Sequence, residues 1–311
     1  MLQVSLLTLQ NVGTLLVYIA IGYLLRRSGK LPANASKVLS TLTTTLILPI
    51  YTANSLSQNF TLEKISSNLG LLGCGVAFAL AAICIGLILA KVFARSDFER
   101  SSLRYAFTFP NYGYFGYPLI EGVFGAAMRA NAVVFAIPLS IATHTYGYLQ
   151  FAKEKKLSVK RVLLIPTTIG TAVGIALGLS GLKLPAFCTS ILSGIGGCMS
   201  PISMILGGIV LGNFPLGKLL SGARAYLYSG IRLLGIPILF TGILYVCGVR
   251  GIYLMLPSLF SALPLGMNLV VFPESYGIDA SDNARTCFIS YLLAAVLLPV
   301  SYGIISSLAG F

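Results

Sequence analysis

Long apolar runs separated by short polar breaks dominate this chain. A helix needs roughly 18 to 25 mainly apolar residues to cross the hydrocarbon of a bilayer. Ten intervals meet that length: 5–25, 38–57, 69–94, 102–123, 130–151, 162–180, 187–212, 226–248, 252–273 and 286–308. The fourth, seventh and ninth are the least uniform, because proline and glycine interrupt them. The expected fold is an all-α polytopic membrane protein of ten transmembrane helices. The first run reads as a span rather than a cleaved signal. No basic residue precedes it, and Arg26-Arg27 follow it where a small-residue cleavage site would stand.

Composition agrees and narrows the function. Hydrophobic residues fill 56% of the 311 positions and charged residues only 9%, with a mean hydropathy of +0.89. A water-soluble domain carries charge on roughly a quarter of its residues. The acidic residues are Glu63, Asp97, Glu99, Glu121, Glu154, Glu274, Asp279 and Asp282. They lie between apolar runs or at their ends, where the cost of burying a carboxylate in hydrocarbon would place them. The net charge of +13 does not mark nucleic-acid binding, because the basic residues form short clusters between spans.

Those clusters are lopsided. Loops one, three and five hold Arg26, Arg27, Lys30 and Lys37; Lys91, Arg95, Arg100 and Arg104; and Lys153, Lys155, Lys156, Lys160 and Arg161. Loops seven and nine add Lys218, Arg224 and Arg285, whereas the even loops hold only Lys64, Arg129, Lys183 and Arg250. Cytoplasmic loops collect such residues. The chain is therefore expected in the cytoplasmic (inner) membrane with both termini outside. Cys74, Cys84, Cys188, Cys198, Cys247 and Cys287 stand singly in apolar stretches, without CxxC spacing or paired histidines. They read as buried small hydrophobes, not as disulfide or metal ligands.

An internal repeat runs through the chain. Ser28-Gly29-Lys30-Leu31-Pro32 ends the first span and Ser180-Gly181-Leu182-Lys183-Leu184-Pro185 the sixth. About 16 residues beyond each of those prolines stands another, Pro49 and Pro201. The next loops open with Gln58-Asn59-Phe60 and Gly212-Asn213-Phe214, and Asn111 and Pro264 precede Glu121 and Glu274 by one common interval. An odd number of spans per half inverts the second half relative to the first. The expected organisation is one membrane domain of two inverted five-helix repeats, 1–155 and 156–311.

The segment Phe109-Pro110-Asn111-Tyr112-Gly113-Tyr114-Phe115-Gly116-Tyr117-Pro118 is poor helix material in the middle of the fourth span. The ninth span has a counterpart in Leu263-Pro264-Leu265-Gly266-Met267-Asn268. Non-helical backbone survives in lipid only where protein or a water-filled cavity covers it. Paired broken helices in inverted halves point to a midplane site. Each break starts a half-helix with free N–H groups and partial positive charge, which suits a small organic carboxylate. Asn111 and Asn268 add amide groups without a full charge. The converging C-terminal carbonyls would equally suit a cation, and kinks that merely pack are the bland alternative.

Weaker candidates surround this centre. Pro49, Thr52, Asn54 and Ser55 in the second span, with Ser200 and Pro201 in the seventh, either wall the cavity or satisfy local carbonyls. His144 is the only histidine and falls inside the fifth span. It is a candidate for proton coupling, although a neutral ring satisfied by Thr143, Thr145 and Tyr146 is the plainer account. Arg232, near the predicted cytoplasmic end of the eighth span, is expected to snorkel to the interface. No GxGxxG follows a strand and no HExxH occurs, so an enzyme is not expected.

These residues resemble the auxin efflux carrier family, the plant PIN exporters and their bacterial permease relatives. The resemblance spans the chain. It rests on Gly22-Tyr23-Leu24-Leu25-Arg26-Arg27 through Leu31-Pro32, on Asn111-Tyr112-Gly113-Tyr114-Phe115-Gly116-Tyr117-Pro118, on Arg232 followed by Pro237, on Pro264 and Asn268, and on Tyr276-Gly277. It implies crossing broken helices in spans four and nine, an elevator-like cycle and anionic substrates. The short connection from Ala152 to Arg161 suits a bacterial-type member, and the Asp–Lys pair of some plant members has no counterpart here.

The expected function is secondary transport of a small organic anion. Asn111, Gly113, Gly116, Pro264 and Asn268 would line the substrate site, and Pro110, Pro118 and Pro264 would break the helices. No cofactor or metal is expected, and the coupling ion, H+ or Na+, stays open, as does a homodimer. A sodium-coupled symporter of related crossover fold and a membrane sensor that moves nothing are the alternatives.

Overall fold

A computed structural model describes residues 1–152, 163–182 and 184–311. Most of the loop between the fifth and sixth intervals, the 155/156 boundary of the expected repeats and Lys183 lie outside these residues. Among the described residues the chain is helical throughout, with one isolated β-bridge. The first half contains α1 (Leu2–Arg27), α2 (Ala35–Leu42, Thr43–Ile47 and Leu48–Asn59 end to end), α3 (Leu62–Phe93), α4 (Asp97–Thr108) and α5 (Tyr112–Gly147). The second contains α6 (Pro166–Ser180), α7 (Ala186–Leu211), α8 (Ala223–Val246), α9 (Ile252–Ala262), α10 (Asn268–Ser275) and α11 (Ser281–Ala309).

Six of these helices, α1, α3, α5, α7, α8 and α11, are long and apolar enough to cross a membrane. Their outward faces carry Leu6, Leu9, Val17, Leu80, Ile88, Ile238 and Val296, all exposed, as a protein dissolved in lipid requires. The cysteines follow the same rule and correct the expectation of burial. Only Cys287 is buried, while Cys84, Cys198 and Cys247 are exposed, because lipid accepts a small apolar side chain as readily as the interior does.

α5 joins the second part of the fourth interval to the fifth. Its direction breaks at Gly125, where φ is 84° and ψ 173°, a conformation that a Cβ opposes. Packing between the halves is reciprocal: α1 lies along Met199–Leu211 of α7, and α6 lies along Leu48–Asn59 of α2. Both seams are close backbone approaches. Gly174 sits against Ala53 and Leu56, and Gly208 against the Ile19 carbonyl, as small-residue seams in membranes do. In the same way α3 packs on α4 as α8 packs on α9.

Basic residues knit one end of the molecule. Arg26 donates to Asn213 Oδ1 (2.7 Å), Arg224 pairs with Glu99 (3.0 Å) and donates to the Phe93 carbonyl (2.6 Å), and Arg285 donates to the Lys218 carbonyl (2.8 Å). The segments after α1, between α3 and α4, between α7 and α8, and before α11 therefore share a face. Met1 and Ser5 lie against Gly303, so the two chain ends emerge on a common side.

Gly174→Leu is expected to force α6 off α2 at an overpacking cost of about 1–3 kcal/mol. Gly194→Leu, where a Cβ meets open space, should leave stability unchanged. Thermal melting of the two purified variants checks the difference.

Candidate functional site

The chain leaves α4 at Thr108 and α9 at Ala262 in extended form. Pro110 and Pro264, which lack a backbone donor, stand in these two breaks. The breaks cross antiparallel around Pro110 and Leu265. The Asn111 N–H donates to the Pro264 carbonyl (2.8 Å), and the Gly266 N–H to the Phe109 carbonyl (3.3 Å). Each break thus satisfies polar backbone that its own helix cannot, as burial away from water demands.

Side chains lock the crossing to α11. Asn111 Oδ1 accepts the Tyr114 N–H (3.3 Å) and caps the half-helix, while its Nδ2 donates to the Tyr291 hydroxyl (2.8 Å). That hydroxyl donates onward to the Leu265 carbonyl (3.1 Å), and Ser290 Oγ accepts the Leu265 N–H (3.3 Å). Phe115 stacks on Tyr291 at 5.9 Å. The Asn111 amide is therefore a cap and a tether, and what it offers the cavity is chiefly the half-helix it positions.

Arg232 corrects the sequence reading outright. It does not snorkel: it is 1% exposed. Its guanidinium donates to the carbonyls of Phe107 at the end of α4 (3.1 Å), and of Phe260 (3.3 Å) and Leu263 (3.1 Å) at the end of α9. Each helix C-terminus carries a charge of roughly −0.5 e. Two of them present about −1 e, which one guanidinium balances.

Wide π turns gather at the same place: Thr43–Ile47 in α2, Tyr112–Gly116 and Thr143–Gly147 in α5, and Ile231–Gly235 in α8. Three of the four stand two residues before a proline, Pro49, Pro118 and Pro237. A proline ring collides with the carbonyl four residues back, and widening the preceding turn relieves the collision. The fourth has no such proline after it.

A cavity of about 370 Å³, lined by neither Arg232 nor its carbonyl partners, opens onto the crossing. Pro110, Asn111, Tyr112 and Gly113 from one break and Gly266, Met267 and Asn268 from the other line it. At the two N-termini the amides of Tyr114, Phe115 and Gly116 are taken by Asn111, and those of Leu269, Val270 and Val271 by the carbonyls of Gly266 and Met267. The amides left to face the cavity are therefore the leading ones, of Tyr112 and Gly113 and of Met267 and Asn268. α2 contributes Ser40, Thr44 and Thr52; the second part of α5 contributes Ser140, Thr143 and His144; α6 contributes Thr167 and Thr171. Tyr105, Tyr112, Tyr114, Tyr117 and Tyr148 supply aromatic wall, and no Lys, Arg, Asp or Glu lines it among the described residues. His144 Nδ1 lies 2.9 Å from the Ser140 carbonyl. A carbonyl only accepts, so Nδ1 carries the proton and a neutral ring leaves Nε2 as an acceptor. Beyond Tyr117 the cavity ends at a cluster: Tyr51 stacks on Tyr117 (5.9 Å), and Arg129 lies over Tyr51 (5.2 Å) while pairing with Glu121 (2.9 Å).

Of the residues singled out from the sequence, Pro110, Asn111, Gly113, Asn268, Thr52 and His144 meet at this cavity. Gly116 lies behind it against Leu263, and Pro264 contributes the carbonyl that Asn111 uses. Pro118 starts the helix beyond the π turn, and Pro49 supports the α2–α6 seam against Gly170. Asn54 accepts from Gln58 (3.0 Å), Ser55 is buried, and Ser200 and Pro201 are half-buried in α7; none of these four is on the cavity wall. The tyrosines and the α6 threonines join the wall beyond those residues, and Tyr112, Tyr114 and Tyr117 stand in the proline- and glycine-rich segment itself.

The sequence profile of a family described as membrane transport protein matches residues 8–162 and 155–302. An uncharacterised transporter of Methanothermobacter thermautotrophicus is 26% identical over 298 residues, covering 94% of this chain and 96% of that protein. An uncharacterised transporter of Methanocaldococcus jannaschii is 23% identical over 294 residues, covering 91% and 94%. The chain belongs to the membrane transport protein family, of the auxin efflux carrier type, and is a multi-pass membrane transporter rather than an enzyme.

Proposed function

We propose that this protein is a secondary active transporter of small organic anions, specifically monocarboxylates with an apolar body, working by elevator-type alternating access. The observation that carries the reading is a charge imbalance at the crossing. Its C-terminal ends are neutralised internally by Arg232. Its N-terminal ends, roughly +0.5 e each, face a cavity with no charged side chain among the described residues. About one negative charge would balance them. The volume, about 370 Å³, is within the range of small-molecule sites, and the tyrosine wall suits an apolar body.

The architecture we infer is ten spans in two inverted five-helix repeats, supported by the reciprocal packing of α1 on α7 and α6 on α2. In this arrangement α1, α2, α6 and α7 form a scaffold against which the crossing unit slides. The basic residues gathered on one face make that face cytoplasmic and put both termini outside. Ser40, Tyr148 and Pro166, the lining residues next to the segments after α1 and α5 and before α6, then form an inward-facing mouth, and the Tyr51–Tyr117–Arg129–Glu121 cluster closes the outer side.

Counterflow from loaded proteoliposomes should show exchange of monocarboxylates, weaker exchange of dicarboxylates and none of the matching neutral amides. Equal exchange of acids and amides would sink the anion reading. A Cβ at Gly113 meets open space, so Gly113→Ala should keep most of the affinity. Gly113→Asp should lower it about tenfold or more, equivalent to about 1.4 kcal/mol. Normal transport by both Asn111→Ala and Asn268→Ala would place the site elsewhere. In a cysteine-free background, Ser40→Cys should react with an impermeant maleimide from the cytoplasmic side; labelling only from outside would reverse the orientation.

A further inference from the structure

The helix C-termini at the crossing form a carbonyl cage with something already in it, and none of the residues of that cage lines the cavity. Carbonyl oxygens of Phe107, Phe260 and Leu263, from two helix ends brought together by the crossing, surround one guanidinium, each on a different nitrogen. Oxygen ligands gathered at half-helix C-termini are how a membrane transporter holds a small cation at its midplane. Here each of those oxygens accepts an N–H of Arg232, at 3.1, 3.3 and 3.1 Å. Among the described residues no carboxylate pairs with this arginine. Its counter-charge is therefore the two helix ends, together about −1 e. A π turn, Ile231–Gly235, presents it, so the backbone of α8 is locally reshaped where the guanidinium enters.

We propose that the Arg232 guanidinium is the resident cation of the crossing, filling the carbonyl cage that a coupling sodium ion would otherwise occupy, so that the moving unit works without sodium. The clause about movement rests on the transporter reading, while the occupancy of the cage does not. A covalently held cation travels with the crossing in both directions. The C-terminal ends are then neutralised whether the substrate site is full or empty, and sodium has no oxygens left to bind there. Arg232 acts as a positioning residue: it holds α4, α8 and α9 in one body and leaves the opposite face to the substrate.

The test is thermal melting of the purified full chain, which needs neither substrate nor flux. Wild type should melt at one temperature in sodium chloride and in choline chloride of equal ionic strength. Arg232→Ala should melt several degrees lower and regain part of the loss, saturably, in guanidinium chloride kept below denaturing concentrations. Arg232→Lys, which carries one ammonium in place of the fork, should melt between the two and show no guanidinium response. If Arg232→Ala does not fold, the wild-type comparison and the lysine variant still decide. A saturable rise of the wild-type melting temperature with sodium overturns the proposal. So does an Arg232→Ala protein that melts with wild type, or one whose loss guanidinium does not reduce. Absence of counterflow alongside the expected melting pattern would refute the transporter reading and leave the cage assignment standing.

Discussion

Two helices interrupted inside the protein leave buried backbone groups with no partner in their own helix, and the rest of this molecule answers that constraint. Asn111 and Pro264 are both buried, and the amide of one finds the carbonyl of the other (2.8 Å). The helix ends created by the interruption carry opposite partial charges on opposite faces of one crossing. Arg232 settles the negative face with three hydrogen bonds. The positive face is left to a cavity, and the binding site we propose there is made from backbone, with no lysine lining it among the described residues.

The surroundings hold this arrangement rigid on one side and loose on the other. Toward α11 it is fastened through Tyr291 and Ser290. Toward α2 and α6 it meets the cavity, where hydroxyls of Thr44 and Thr171 are engaged with carbonyls of their own helices and so present little that would fasten the two sides together. Close glycine seams stiffen α1 with α7 and α2 with α6. Rigid elements separated by a lightly bonded interface are what a rigid-body transition needs.

How much of this was legible in the sequence depends on what encodes each feature. Helices were legible because lipid forces backbone to bond locally, so span length appears as an apolar run. The breaks were legible because Pro110 and Pro264 remove donors, whatever surrounds them. Arg232 was misread because its depth was judged from its distance to the end of its own span. Its partners, Phe107, Phe260 and Leu263, belong to helices far along the chain, and nothing local announces them. Tyr105, Tyr112 and Tyr117 gave no usable signal either, since tyrosine in a membrane protein equally marks the lipid interface. Pro118 was expected to break its helix, yet its effect here, like that of Pro49, is to widen the turn before it rather than to end the helix.

The bridge between Pro110 and Leu265 also bears on how the chain is made. It joins a residue of the first half to one of the second, so neither half can complete its own break. While the first half is being made, the Asn111 amide and the Phe109 carbonyl are already present and their partners, at Pro264 and Gly266, do not yet exist. The nascent chain must shelter those groups, with water or with the insertion machinery, until the ninth interval emerges. Final closure is therefore a late event in biosynthesis, and a chain cut short before Leu265 would leave an open polar wound in the bilayer rather than half a transporter.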